Sequence, residues 1–260
     1  MLRQLILHRR TVWLLAIRNM RDRYAGTFGG MVWAVLNPLL LLLVFWFVFG
    51  VGLRMGSSTG TPFLLVLFCG LIPWMTFSEI LNGAASSITG RAYLVKKIAF
   101  PLEILPFTHV VTALLTHGIL LIILAVMLLS YRIVPGMGLL LLPYYLFSMC
   151  ALTAGLSLLL ASGSVFNRDI MQGLGVALNI WFWITPIVWP PEMVSGSLKP
   201  MLDFNPFYYV VSGYRDCLLS ANLVIPPALT TAYFWGVVVL LWALGSLVFT
   251  RLKPSFADVL

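Results

Sequence analysis

Long apolar runs separated by short charged segments dominate this chain. Six stretches, residues 31–52, 62–86, 104–130, 137–162, 170–189 and 226–250, carry enough consecutive apolar residues to cross a bilayer, because a helix rising 1.5 Å per residue needs about 20 of them for about 30 Å of hydrocarbon. The fifth is the weakest, since DIMQGLGVALNIWFWITPIVWPP runs into Pro186, Pro190 and Pro191, which stop a helix. Ahead of the first run, MLRQLILHRRTVWLLAIRNMRDRY has a different pattern. Leu2, Leu5, Ile6, Trp13, Ala16, Ile17, Met20 and Tyr24 recur at helical spacing, while Arg3, Arg10, Arg18 and Arg21 take other faces. That predicts an amphipathic helix over 1–24, either lying in the headgroup plane or simply anchoring the first span. Its charges return too soon for a cleavable signal peptide to be expected.

Two further patterns refine the picture. In the fourth run Ala151, Gly155, Ser157 and Ala161 put small residues at near-helical-turn spacing, which lets a neighbouring helix approach closely. Between the fifth and sixth runs, residues 190–222 are too long for a turn and too broken by proline to span. Two short helices, Met193–Leu202 and Pro206–Leu219, are predicted there on either side of the turn-prone FNP. Trp189, Phe204, Phe207, Tyr208, Tyr209 and Tyr214 give this segment either an interfacial aromatic belt or a sugar-facing lid.

Composition fixes the class. The chain of 260 residues is 61% hydrophobic and 9% charged, against roughly 25% charged in soluble domains. The expectation is one all-α membrane domain with six transmembrane helices. Lys and Arg then set the orientation. With both termini in the cytoplasm, the inner side holds Arg3, Arg9, Arg10, Arg18, Arg21, Arg23, Arg91, Lys96, Lys97, Arg168, Arg251 and Lys253, and the outer side only Arg54, Arg132, Lys199 and Arg215. The net charge of +8 is thus spent on topology and membrane lipid, not on nucleic acid. Cys69, Cys150 and Cys217 have no metal-like spacing and read as packing residues.

The search for chemistry is mostly negative. GxxxxGK[ST], HExxH and GxSxG are all absent, so no catalytic residue, no metal site and no cofactor are expected on this chain. In the third run His109, Thr112 and Thr116 share a helix face, with Thr108 and His117 nearby. They either line a polar path or satisfy themselves, threonines on their own helix and histidines across helices. Glu79 in PWMTFSEIL is costly to place in lipid. It either snorkels to the interface or meets a cation of the next charged segment, Lys96 or Lys97.

That segment, RAYLVKKIAFPLE at 91–103, is long and cationic for a connection between two spans. Together with RNMRDRYAGTFGGMVWAVLNPLLLLLVFWFVFG, LFCGLIPWMTFSEIL, FNRDI, WITPIVWPP and NPF, in this order along nearly the whole chain, it resembles the permease subunits of type-2 ABC transporters. Within them it looks like the polysaccharide exporters for O-antigen, capsule and teichoic acid.

The resemblance implies a six-span permease that forms a homodimer and pairs with two copies of a separate ATPase, which would bind ATP and Mg. It implies export of a lipid-linked glycan on a polyprenyl diphosphate carrier across the bacterial inner membrane. Residues 91–101 would be the coupling helix docking on the ATPase, with Tyr93, Leu94, Val95, Ile98, Ala99 and Phe100 as apolar contact, Arg91, Lys96 and Lys97 as polar rim, and Pro101 as the stop. Residues 1–24 would be the interface helix and 190–222 the re-entrant extracytoplasmic segment, with Phe204, Tyr208 and Tyr209 as a gate. Arg21, Arg23 and Arg91 would meet the carrier diphosphate, or serve only as topology anchors. A sliding sugar polymer favours aromatic and hydroxyl surfaces, which offers Trp33, Phe45, Phe49, Trp74 and Phe77, or the Thr108, Thr112 and Thr116 stripe, as channel lining. A type-2 exporter of drugs or lipids is the alternative within the class. A membrane-embedded glycosyl- or prenyl-transferase using His109 and Glu79 is the alternative outside it.

Overall fold

A computed structural model describes residues 2–54, 61–96, 100–194 and 199–260. Every regular element among them is helical: α1 Leu2–Leu7, α2 Arg9–Tyr24, α3 Trp33–Phe45, α4 Phe63–Ala85, α5 Ala92–Val95, α6 Ile104–Ser130, α7 Leu142–Phe166, α8 Asp169–Ile184, α9 Lys199–Asp203, α10 Pro206–Leu219, α11 Ala228–Leu252 and α12 Phe256–Val259. Five continuous helical stretches are long and apolar enough to cross a membrane: Gly30–Gly52, Phe63–Ala85, Ile104–Ser130, Met137–Phe166 and Ala228–Val259. The fifth expected span, 170–189, is shorter. At 16 residues α8 rises only about 24 Å, because Thr185, held out of the helical region by the following Pro186, turns extended (ψ 130°).

The first span is irregular. Pro38 sits inside α3 and removes a backbone hydrogen bond, and the helix then loosens into a π-helical stretch over Trp46–Gly52. Its buried stripe is small, Ala34, Pro38 and Leu42, so much of its apolar surface faces outward, including Leu40, Leu43, Val44 and Phe47. The central helix is α4, buried through most of its length and packed on α6, α7, α8 and α10. The most extensive pairing joins α7 to α11. There the small-residue spacing has a definite partner: a Cβ on Gly155 would lie 2.9 Å from the Leu241 carbonyl carbon, and one on Gly245 would lie 2.6 Å from Gly155 O. Two glycines pass backbone against backbone at this crossing.

Two apolar clusters form the core of the bundle. The larger joins α4, α7, α8 and α10 through side chains such as Phe68, Phe77, Met149, Phe182, Phe207 and Tyr214. The other joins Ile80, Ile88, Leu102, Leu105, Phe107, Phe249 and Phe256 at the end that also carries α2, α5 and α12, called the basic end below for its arginines and lysines. At the opposite end the FNP turn is pinned by one side chain. Asn205 Oδ1 caps α10 by accepting from Phe207 N (3.1 Å) and also accepts from Trp181 Nε1 (2.8 Å), while its Nδ2 donates to Thr185 Oγ1 (2.8 Å). The α10 helix takes the predicted range. Of the predicted 193–202 helix only α9 and a 3-10 turn at Pro191–Met193 lie within described residues.

Candidate functional site

A cleft runs beside α4 where α3 and α8 approach it. One lobe, about 270 Å³, is lined by Leu41, Phe45, Trp74, Ser78, Asn82, Gly175, Leu178, Asn179 and Phe182. The other, about 420 Å³, is lined by Arg23, Tyr24, Ala34, Asn37, Pro38, Leu41, Trp74, Met75, Ser78, Glu79, Asn82, Gly83, Thr116 and Leu120. Leu41, Trp74, Ser78 and Asn82 belong to both, so the lobes adjoin. Ring faces alternate here with amide and hydroxyl groups, which suits a ligand whose faces are apolar and whose rim is hydroxylated.

The channel aromatics proposed from sequence divide. Phe45 stacks on Phe182 (centroids 5.6 Å apart) and neighbours Phe49 (6.1 Å). Trp74 bridges from the cleft inward, touching Phe182 at 5.5 Å, Phe207 at 5.3 Å and Phe77 at 5.7 Å. Phe77 has no exposed surface and packs on Trp181 and Phe207. Trp33 lies exposed at the start of α3 and is not among the residues lining the cleft, although its neighbour Ala34 is.

At the basic end α2 is not merely surface-bound. Val12 and Ala16 are buried against α6, and Trp13 and Leu14 are exposed on another side. Thr108 and Thr112 are buried at this contact: each donates within α6, to Leu105 O (2.7 Å) and Thr108 O (2.8 Å), and both accept from Asn19 Nδ2 (3.3 and 3.5 Å). The structure therefore separates the threonine stripe, with Thr108 and Thr112 under α2 and Thr116 at the cleft. Glu79 meets neither Lys96 nor, among described residues, any lysine. Its carboxylate pairs with Arg23 Nη1 at 2.7 Å and accepts from Thr116 Oγ1 (3.4 Å). Burial opposes the Arg23 charge, but the Glu79 carboxylate outweighs it and raises that pKa.

Arg91 is turned toward the bundle: its Nη2 donates to Asn19 Oδ1, and burial lowers its pKa. Arg21 is exposed on α2. In the segment expected to couple to an ATPase, Tyr93 and Lys96 are exposed, three residues apart on one face, while Leu94, Val95 and Phe100 pack against the basic-end cluster. Lys97, Ile98 and Ala99 lie outside the described residues.

At the opposite end Tyr208 lines a cavity of about 480 Å³ with Trp189, Glu192, Arg215 and Asp216. Tyr209 points into the bundle, stacked on Phe234 at 4.6 Å and hydrogen-bonded to Tyr144 (2.8 Å) and Thr231 (3.2 Å). Phe204 is exposed and meets Tyr233 edge-on. Of the two histidines of α6, His109 crosses Gly83 of α4, and His117 links Thr76 (2.8 Å) to Tyr214 (3.0 Å). Three residues that hold this architecture were not singled out for that role by the sequence pattern: Asn19, Arg215 and Phe256. Arg215 fastens α10 by donating to Val66 O (3.3 Å), Pro186 O (2.8 Å) and Ile187 O (2.7 Å). An arginine isolated in an apolar segment was its only hint. Asn205 was legible, as an Asn-Pro pair opening a helix.

Comparison with known proteins bears on the whole chain. Residues 10–219 match the family model described as ABC-2 type transporter. The chain is 31% identical to the O-antigen export system permease protein RfbA of Myxococcus xanthus, over 99% of this chain and 98% of that one. It is 25% identical to the protein of the same name from Klebsiella pneumoniae, over 94% and 92%. It is 23% identical to the polysialic acid transport protein KpsM of Escherichia coli, over 82% and 83%. With most of its length matched by the family model and nearly all of it by a relative above 30% identity, this chain belongs to the ABC-2 type transporter membrane family.

Proposed function

We propose that this chain is the transmembrane subunit of an ATP-driven exporter that moves a lipid-linked polysaccharide of the O-antigen kind across the bacterial inner membrane. Two copies pair with two copies of a separate ATPase, which supplies ATP and Mg. The names of relatives spanning the whole chain support the substrate class. The observation in the molecule that carries the reading is the cleft at Trp74, Ser78 and Asn82. Its ring faces and uncharged polar groups can contact a sugar ribbon through many weak, replaceable interactions, which lets a polymer slide where fixed charge would hold it. As the fifth of six spans, α8 completes the bundle at a site where a second copy or local thinning of the bilayer makes up its short length. Both termini lie in the cytoplasm, and residues 190–222 form the outer gate with Phe204, Tyr208 and Tyr209.

In this reading, closure of the ATPase dimer pushes on Tyr93 and Lys96, the exposed face of the coupling segment. Arg23, shared with Glu79 at the mouth of the larger lobe, and Arg21 and Arg91 nearby form a positive surround for the carrier diphosphate. The test is extraction in mild detergent with mass analysis of what accompanies the chain, alongside glycan analysis of depleted cells. A stoichiometric ATPase and lipid-linked glycan accumulating inside are expected. A chain that purifies alone with transferase turnover would overturn the proposal. Within the complex, Tyr93→Ala should weaken docking by about 2 kcal/mol, as loss of an aromatic anchor does.

A further inference from the structure

The segment after the last long helix plays no part in the roles above, yet one of its side chains is among the most enclosed at the basic end. Phe256 has no exposed surface. Its ring meets Phe249 edge-on at 5.6 Å and Phe166 at 6.0 Å. Its neighbours Ser255, Ala257, Asp258 and Val259 are all exposed. A four-residue helix such as α12 has no stability of its own, so this single ring, with half-buried Leu252 and Leu260, is what holds the segment down. What it is held against is the coupling segment. The α12 helix packs on α5 and α7, and Leu94, Val95 and Phe100 pack into the same cluster as Phe256. A second tie lies beside it, Lys253 Nζ to Glu103 Oε1 at 2.6 Å, across the base of α6. The coupling segment is therefore held at Arg91 by Asn19, from behind at Leu94, Val95 and Phe100, and at its far end by Lys253.

We infer that residues 253–260 form the seat of the coupling segment, with Phe256 and Lys253 as positioning residues that fix how the Tyr93 and Lys96 face is presented. A push on that face has two rigid exits, through Phe256 into α11 and through Glu103 into α6. Without the seat, α5 loses its fixed position against α11 and α6, and the push is dissipated before it reaches a spanning helix. The inference rests on the docking role proposed for residues 91–101, but its first consequence is measurable without any ATPase.

A spin label is placed at Lys96, which is exposed, in a chain whose native cysteines are replaced, reconstituted alone in lipid nanodiscs. Lys253→Glu, Glu103→Lys and Phe256→Ala should each raise the mobile fraction of the label, by about threefold for the charge reversals. The double variant K253E/E103K and the conservative Phe256→Leu should bring it back toward the parent. In the complex with its ATPase, the same single variants should export less glycan per ATP hydrolysed while still recovering the partner, and the charge swap should restore the ratio. Unchanged label mobility in the single variants, or a charge swap that fails to restore it, overturns the seat. Loss of folded yield with parental mobility in the folded fraction overturns it equally, since that is the signature of packing alone. A parent chain that recruits no ATPase defeats the docking role and leaves the mobility result to judge the seat.

Discussion

The buried hydrogen-bonded chain Thr76–His117–Tyr214 joins α4, α6 and α10, and so permits a quantitative test. Thr76 Oγ1 lies 3.0 Å from Ile72 O and 2.8 Å from His117 Nδ1; with its one proton given to Ile72 O, it accepts from His117. His117 Nε2 then bears only a lone pair and accepts from Tyr214 OH at 3.0 Å. Tyr214, with no exposed surface, thereby ties α10 to α6. Tyr214→Phe keeps the ring, including its edge contact with His117 at 5.7 Å, and deletes only the donor. Leaving an acceptor unsatisfied in a dry interior costs about 1–3 kcal/mol, while hydrogen bonds between membrane helices average about 0.6 and reach about 1.7 kcal/mol. A cost of about 1 kcal/mol satisfies both. In purified protein this corresponds to a midpoint lowered by about 2–4 °C, read by thermal unfolding in one fixed detergent. Thr76→Val should change the effect of Tyr214→Phe, because both bonds share the one imidazole of His117, giving a coupling of at least about 0.5 kcal/mol in a double-mutant cycle. A Tyr214→Phe midpoint equal to the parent's, or strict additivity with Thr76→Val, would refute the proton assignment.

Three other outcomes are expected. Gly245→Ala places a methyl 2.6 Å from the Gly155 carbonyl oxygen, where only backbone can yield, and should cost about 1–3 kcal/mol; Gly173→Ala, with nothing near its Cβ, should be neutral or slightly stabilising by the same unfolding assay. Glu79→Leu leaves Arg23 and Thr116 without their shared acceptor and should destabilise more than Glu79→Gln. Because Arg23 is 37% exposed, even that loss should stay near about 1–2 kcal/mol, and equal losses for the two variants would show that the charge does nothing. For topology, cysteines at Val134 and Ala221 should react with an impermeant reagent outside intact cells and cysteines at Asn167 and Ser255 should not, all four being exposed; labelling of Asn167 from outside would break the six-span arrangement.

Much of this protein is written in local composition. Apolar runs of spanning length become helices whatever their neighbours, since a backbone in hydrocarbon has no other way to satisfy its polar groups; five of the expected runs became helices of full spanning length. Proline positions fixed where α8 stops, and Asn205 before Pro206 fixed where α10 starts. The order of weak motifs carried the family, because each marks a local feature that sequence spacing preserves. Partners across the fold were not legible. Glu79 chose Arg23, 56 positions away by their numbers, over Lys96, and the threonine stripe was divided between a helix contact and a cleft by the placement of α2. Half of the predicted docking face, Leu94, Val95 and Phe100, turned inward because Phe256 returns from the far end of the chain to receive it. Periodicity says that a residue is apolar or charged and which neighbours share its face. Which element comes to lie against that face depends on packing between segments distant in sequence, and only the tertiary structure decides it.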